Sequence, residues 1–312
     1  MRNIFILNPA AGQGKALNQI DDIKAAAAEL NIDVEFYKTA SPIDPEIYCG
    51  DIMASMDPNE KIRIYACGGD GTLNEVVNAC YGYENVEIGV IPKGTGNDFV
   101  RNFGKKEDYF NYKAQLMGES IICNVINYSG VSNGEIINRY CCNMFNIGFD
   151  CNVVDLAAKY KKYPLVKGTP AYMLGVLKTL IEMHGTRLKI TLDDGTVMDQ
   201  DFLLVALANG CYCGGGVKGV PKANVTDGFI DVSIINPMTR LKFLNMFGKY
   251  AKGTHLEAQD IEKLITYRKC KEVKIEPKEE SIRMSIDGEI TNIGEINFKI
   301  VEKGFKFILP KI

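Results

Sequence analysis

Three short apolar runs in the first hundred residues each break off into a cluster of small residues. "IFIL" leads into "NPAAGQGK" (8–15), "IRIYAC" into "GGDGTLNE" (68–75) and "VEIGVI" into "PKGTGNDF" (92–99). A nearly continuous apolar run suits a strand buried on both faces, as in a parallel sheet. Parallel strands need a crossover, and a helix is the usual one. The chain offers an alanine-rich helix over 15–30, a helix start at Ser41-Pro42 and a helix over 73–81. Proline at Pro42 fits a first helical position. These alternate with strands at 4–7, 34–37, 62–66 and 86–91. Strand and helix in turn predict an α/β domain with helices over a parallel sheet.

Beyond residue 122 the rhythm changes. Strands are predicted at 121–128, 138–147, 187–192, 197–208, 229–235, 272–275, 282–286 and 296–301. "DDGT" (193–196) is a hairpin signal. Helical patterns fall at 152–162, 169–184 and 240–252. Strands joined mostly by turns predict a second domain of mainly antiparallel β, sandwich-like, with inserted helices. The boundary lies near 122/123, and 312 residues leave room for two cores.

The net charge of −3 gives no global argument for nucleic acid as a partner. The ten cysteines include no CxxC pair, and the two histidines, His184 and His255, are far apart, which argues against structural zinc. With no signal peptide legible, free thiols in a reducing cytoplasm are expected. The most apolar helical stretch, 171–183, is too short and too polar to be a transmembrane segment.

In a parallel sheet, ligands bind beyond the carboxyl ends of the strands, where the three small-residue loops emerge. Glycine lets backbone N–H groups approach an anion, and a helix start adds its dipole. The first loop is not a Walker motif: Pro9 stands where its first glycine belongs, and Ala16 follows Lys15. Thr72 with Glu75 and Thr95 with Asp98 have capping-box spacing, so each threonine is an expected N-cap. Asp70 stands among backbone donors. It reads either as a turn aspartate or as a ligand of Mg²⁺, which accepts carboxylate, water and phosphate oxygens.

"GGDGTLNEV", "GTGNDF" and the opening "NPAAGQGK" together resemble the diacylglycerol kinase catalytic domain of bacterial soluble lipid kinases. The likeness continues through "FNIGFD" (145–150), "ANGCYCGGG" (208–216), "PKANVTDGFIDV" (221–232) and "SIDGE" (285–289). GGDG alone would mark only a wider superfamily that includes NAD kinases; "LNEV" and "GTGNDF" narrow it. The resemblance implies ATP near Asn8, Thr39, the segment Gly68, Gly69, Asp70, Gly71, Thr72, Leu73 and Asn74, and Thr95. It implies Mg²⁺ at Asp227, with backbone oxygens of Asn224 and Phe229, and Glu289 as proton acceptor. It also implies that the last residues, 304–312, return to the first domain, leaving 123–303 as the lipid-acceptor domain.

On the residues alone, Asp287 and Glu289 are two apart on a short strand and so share a face, which suits a division between metal organisation and base. D-G is equally a hairpin signal, and glutamate is usually exposed. Lys159, Lys161, Lys162 and Lys167 lie among tyrosines and aliphatics. They read either as a solvated helix end or as a contact with an anionic membrane face, worth roughly 1 kcal/mol per lysine. The expectation is a cytoplasmic enzyme meeting a lipid substrate at the membrane surface, with monomer and homodimer both open. The rivals are an NAD kinase-like enzyme with a soluble acceptor and a non-catalytic nucleotide-binding regulator.

Overall fold

The structure is a computed structural model and describes residues 1–149, 151 and 185–312. The helices expected at 152–162 and 169–184 and the four lysines Lys159, Lys161, Lys162 and Lys167 lie outside the described residues. The chain divides into two compact units, Met1–Val125 with Val301–Ile312, and Ile126–Ile300.

In the first unit, β1 (Arg2–Leu7), β2 (Glu35–Lys38), β3 (Ile62–Gly68) and β4 (Val86–Pro92) run parallel in the order β4-β3-β1-β2. Burial on both faces explains the apolar runs: in β3 and β4 all but one residue each is buried. The helices are α1 (Ile20–Glu29), α2 (Asp44–Ser55), α3 (Asp70–Cys80) and α4 (Tyr112–Leu116). α1 sets Ile23 and Ala27 against Phe5, Leu7, Tyr65 and Ile91, and the Phe5 and Tyr65 rings stack at 4.4 Å. The chain's last strand closes this sheet, with Lys306 opposite Glu87 and Phe307 opposite Ile88 in parallel register.

Two helix starts differ from the sequence reading. Residues Ala11–Gln19 wind as a 3-10 helix, and α-helix begins only at Ile20. Glycine in that stretch lowers helix propensity, and Gly12 takes a φ of 61°. α2 begins at Asp44 rather than beside Pro42, because Pro45, not Pro42, occupies its first turn. Asp44 fixes the entry by accepting from the Ala40 amide at 2.6 Å and the Tyr37 hydroxyl at 3.0 Å.

The second unit contains the second half of β5 (Glu119–Ser132), then β6 (Glu135–Cys141), β7 (Met144–Gly148), β8 (Thr186–Leu192), β9 (Val197–Phe202), β10 (Leu204–Ala208) and β11 (Ile230–Ile235). After α5 (Arg240–Lys252) come β12 (Ile265–Cys270), β13 (Glu272–Pro277), β14 (Ile282–Ile286) and the first part of β15 (Glu289–Leu309). The ladders β5–β6, β8–β9, β7–β10, β10–β11, β11–β12, β8–β13, β13–β15, β14–β15 and β7–β14 are all antiparallel. An α/β part with parallel sheet and a mainly antiparallel second part are thus the fold class read from the sequence.

Two predicted strands are each cut in two where the chain changes partners. The stretch at 138–147 breaks at Cys142-Asn143: β6 pairs with β5, whereas β7 pairs with β10 and β14. The stretch at 197–208 breaks at Leu203, whose amide donates to Ile235 O at 2.9 Å and whose carbonyl accepts from Phe149 N at 2.9 Å. Such corners let one strand serve two packed layers. The core beneath gathers Phe145, Phe298, Leu207, Val232 and Met284, with the Phe145 and Phe298 rings edge to face at 4.9 Å.

Candidate functional site

In the first unit, β1 and β3 are adjacent while the chain departs from them in opposite directions, to β2 and to β4. This is a topological switch point, where an open parallel sheet leaves a crevice at its carboxyl edge. Asn8 follows β1 there, Gly69 follows β3, and the 93–98 loop follows β4. Asn8 Nδ2 donates to Thr72 Oγ1 at 3.1 Å, and its Oδ1 accepts from Ala10 N at 3.0 Å. Thr39, just past β2, is buried and donates to Leu7 O at 3.3 Å. Asn8, Thr39 and Thr72 are therefore brought to one sheet edge.

The second and third loops lock together. Gly68 O accepts from Lys93 N, Gly94 N and Asn97 Nδ2, each at 2.9 Å. A Cβ on Gly94 would lie 2.4 Å from Gly69 Cα, and one on Gly68 would lie 2.4 Å from Thr72 Oγ1. Part of the demand for glycine is therefore loop-to-loop contact. Gly69 is the N-cap in extended backbone, and α3 starts at Asp70. The expected capping boxes do not form. Thr72 is the third helical residue, and Glu75 Oε1 accepts instead from Ile43 N at 2.9 Å. Thr95 is exposed, and the helix that follows is a short 3-10 turn, Phe99–Asn102, preceded by Asp98.

Asp70 caps that turn across the loop. Its Oδ1 accepts from Asp98 N at 2.8 Å and Phe99 N at 3.3 Å. A Cβ built on Gly96 would meet Asp98 Oδ2 at 2.9 Å and Asp70 Oδ2 at 3.0 Å, so both carboxylates face one glycine. Two such oxygens, completed by water and phosphate, fit a magnesium ion. Leu73 is buried and its amide donates to Gly69 O at 3.2 Å, so it braces the start of α3. Asn74 Oδ1 is buried with no hydrogen-bond partner among the described residues. Buried acceptors normally have partners, so this atom suits a ligand donor.

In the second unit, Asp287 and Glu289 do not share a strand face. Ile286 pairs with Glu289, leaving Asp287-Gly288 as a two-residue turn with φ of 48° and 91°. Period-two alternation does not run through a hairpin turn. Asp287 Oδ1 accepts from Met144 N at 2.8 Å, and Oδ2 from the Cys141 and Cys142 thiols at 3.3 and 3.7 Å. This aspartate ties the turn to the break between β6 and β7. Glu289 is exposed, with no side-chain partner among the described residues.

At the residues expected to hold magnesium in this unit, the carboxylate is already paired with a lysine. Asn224 Oδ1 accepts from the Thr226 amide at 3.0 Å and hydroxyl at 2.8 Å, and Asn224 O from Asp227 N at 3.3 Å. Asp227 Oδ1 accepts from Phe229 N at 3.1 Å, and Oδ2 pairs with Lys269 Nζ at 2.5 Å. Among the described residues, no cluster of three or more His, Cys, Asp or Glu is arranged to hold a metal.

Residues 2–123 match the family model described as the diacylglycerol kinase catalytic domain. Residues 143–306, half of the chain, match the model described as the YegS C-terminal NAD kinase beta sandwich-like domain. The chain belongs to the diacylglycerol kinase catalytic-domain family. It is thus a lipid kinase family member, a phosphotransferase, and kinases of this family use ATP. A diacylglycerol kinase of Bacillus subtilis is 29% identical over 252 residues, 80% of this chain and 78% of that protein. One of Staphylococcus aureus is 26% identical over 307 residues, covering 98% and 91%. The crystal structure of a diacylglycerol kinase from Bacillus anthracis aligns with a TM-score of 0.70 at 22% identity, covering 98% of this chain and 96% of that one, a likeness of fold. No helix among the described residues is long and apolar enough to cross a membrane.

Two cations of this lipid kinase were not singled out from the sequence. Lys106 Nζ donates to Gly94 O at 2.9 Å. Burial and the Arg101 charge lower its pKa, while Asp70 and Asp98 oppose that shift. Arg101 Nε lies 3.5 Å from Asp98 Oδ1, and its Nη2 donates to Gly96 O at 3.4 Å. Both cations therefore flank the loop expected to meet phosphate. The available signal was "VRNFGKK" directly after "GTGNDF", basic residues following a phosphate-type loop.

Proposed function

We propose that this lipid kinase transfers the γ-phosphoryl of ATP·Mg²⁺ to the free hydroxyl of diacylglycerol, giving phosphatidic acid, from the cytoplasmic face of a membrane. The observation that carries the donor half is the junction at the switch point. Asn8, the Gly68–Asp70 backbone and the 93–98 loop meet at one sheet edge, and Asn74 Oδ1 in the following helix is buried and unpartnered among the described residues.

Phosphoryl transfer asks a protein for positioning, neutralisation of charge and orientation of the nucleophile. The amides of the glycine loops and the start of α3 position the phosphates, and Lys106 and Arg101 add positive charge beside them. Asp70 and Asp98 would hold magnesium, which when bound offsets negative charge on the phosphate oxygens. Glu289, exposed and with no side-chain partner among the described residues, accepts the proton from the lipid hydroxyl. The hydroxyl oxygen forms its bond to the γ-phosphorus as the bond to the β-bridging oxygen breaks, and ADP leaves with that electron pair.

The test is γ-labelled ATP with a panel of acceptors in mixed micelles: diacylglycerol, monoacylglycerol, a sphingoid base, a polyprenol and, in buffer, NAD. Label in phosphatidic acid, dependent on diacylglycerol and Mg²⁺, is the expected result. Preferential labelling of another acceptor replaces diacylglycerol, and ATP binding without transfer to any acceptor turns the reading to a nucleotide-binding regulator.

A further inference from the structure

We propose that the Lys269 ammonium, and not a divalent cation, is the counter-charge of the Asp227–Asp231 pair in the second unit. Asp231 lies on β11 with no exposed surface. A buried carboxylate must be paired and hydrogen-bonded. Both requirements are met from β12. Tyr267 OH donates to Asp231 Oδ1 at 2.8 Å, and Lys269 Nζ pairs with Oδ2 at 3.1 Å. The sheet sets this arrangement, since Asp231 and Lys269 are directly opposed in the β11–β12 register.

The same ammonium then reaches Asp227 Oδ2 at 2.5 Å. An ammonium has three donors, so one lysine can serve two carboxylates. Asp227 is aimed at it by its own turn, where Gly228 has a φ of 76° and Phe229 N donates to Asp227 Oδ1 at 3.1 Å. A cation bound at Asp227 would compete for the oxygen that Lys269 holds and sit beside a like charge. A second lysine shares the Phe229 ring: Lys271 Nζ stands 4.4 Å from its centroid, and Lys269 Nζ 5.8 Å. Burial works to lower the Lys269 pKa, but the hydrogen bonds to Asp227 and Asp231 together with their charges outweigh it and hold the pKa above its ordinary value. The lysine therefore stays charged at neutral pH.

The consequence is a second unit whose stability needs no magnesium. The lipid-kinase reading is not required for this, because the readout is unfolding. The full chain, free of nucleotide, is melted in EDTA and in excess Mg²⁺ as wild type, K269M and D227N. The wild-type midpoint should agree in the two buffers within about 1 °C, and K269M should melt roughly 5 °C lower in EDTA than wild type, since an unpaired buried carboxylate is left behind. A wild-type midpoint that climbs saturably by several degrees with Mg²⁺, with no climb in D227N, would overturn the proposal. So would a K269M that melts with the wild type. If K269M does not fold, the wild-type and D227N comparison decides alone.

Discussion

Asp70 in the first unit takes hydrogen bonds from two backbone amides, whereas Asp227 and Asp231 in the second share one lysine. Both arrangements satisfy oxygen lone pairs, but they differ in charge. An amide donor brings a dipole and no unit charge, and an ammonium brings a full one. In the roles proposed above, Asp70 keeps an oxygen for a metal ion, while Lys269 fills that place for Asp227 and Asp231. The two "DG" segments of this kinase, Asp70-Gly71 and Asp227-Gly228, look alike in sequence and differ in this respect.

Replacing Asp70 by alanine should have the largest effect. Turnover should fall on the order of 10³-fold or more, as expected when a preorganised electrostatic contact is removed. The cap on Phe99–Asn102 is lost as well, at about 1 kcal/mol, which lowers the melting midpoint by roughly 2–4 °C. Steady-state kinetics beside thermal melts separate the two losses. A variant that melts lower yet turns over normally with saturating Mg²⁺ would make Asp70 a structural cap alone.

Glu289→Gln should come next, and it is the cleaner contrast because the Glu289 side chain has no partner among the described residues. The rate should fall by about 10²–10⁴-fold, the usual range for a general base, with the melting midpoint and ATP affinity unchanged. A wild-type kcat would remove Glu289 from the proton-acceptor role.

Gly94→Ala tests whether the phosphate loops are held by mutual contact. The added Cβ would lie 2.4 Å from Gly69 Cα, backbone against backbone, so the loops must part. Misplacement on the ångström scale costs about 10²-fold, here expected in kcat/KM for ATP, with the lipid KM unchanged. Normal ATP kinetics would show that the loop junction tolerates separation.

How much of this was legible follows from range along the chain. The parallel strands were legible because burial on both faces writes an unbroken apolar run, and the loops because glycine clusters end those runs. Asn8, Gly68 and Asp70 stood out for the same local reason. The failed capping boxes show the limit: spacing between Thr72 and Glu75 was right, but Gly69 in extended backbone starts α3 at Asp70. The split strands were hidden because an unbroken pattern does not record a change of partner at Asn143 or Leu203. Lys269 was hidden too, because its partner Asp231 lies 38 residues away and only β-register joins them.

The smallest effect on catalysis is expected at Asp287, which crosses the comparison: it lies in the second unit but is held by a backbone amide, as Asp70 is. Two buried thiols also donate to it, and its place is a left-handed turn position that asparagine also accepts. Asp287→Asn keeps an acceptor oxygen toward Met144 N but replaces the other oxygen with a donor facing Cys141 and Cys142. The cost should be about 1–3 kcal/mol from mismatched buried groups, read as a lower melting midpoint. The Mg²⁺ dependence of the rate should not move, and kcat should stay within about tenfold of wild type, since Glu289 shifts only as far as the turn loosens. A titration of rate against free Mg²⁺ at fixed ATP·Mg²⁺ makes the distinction. A raised Mg²⁺ requirement with an unchanged midpoint would return Asp287 to metal organisation, and amide-held carboxylates in both units would then share one use.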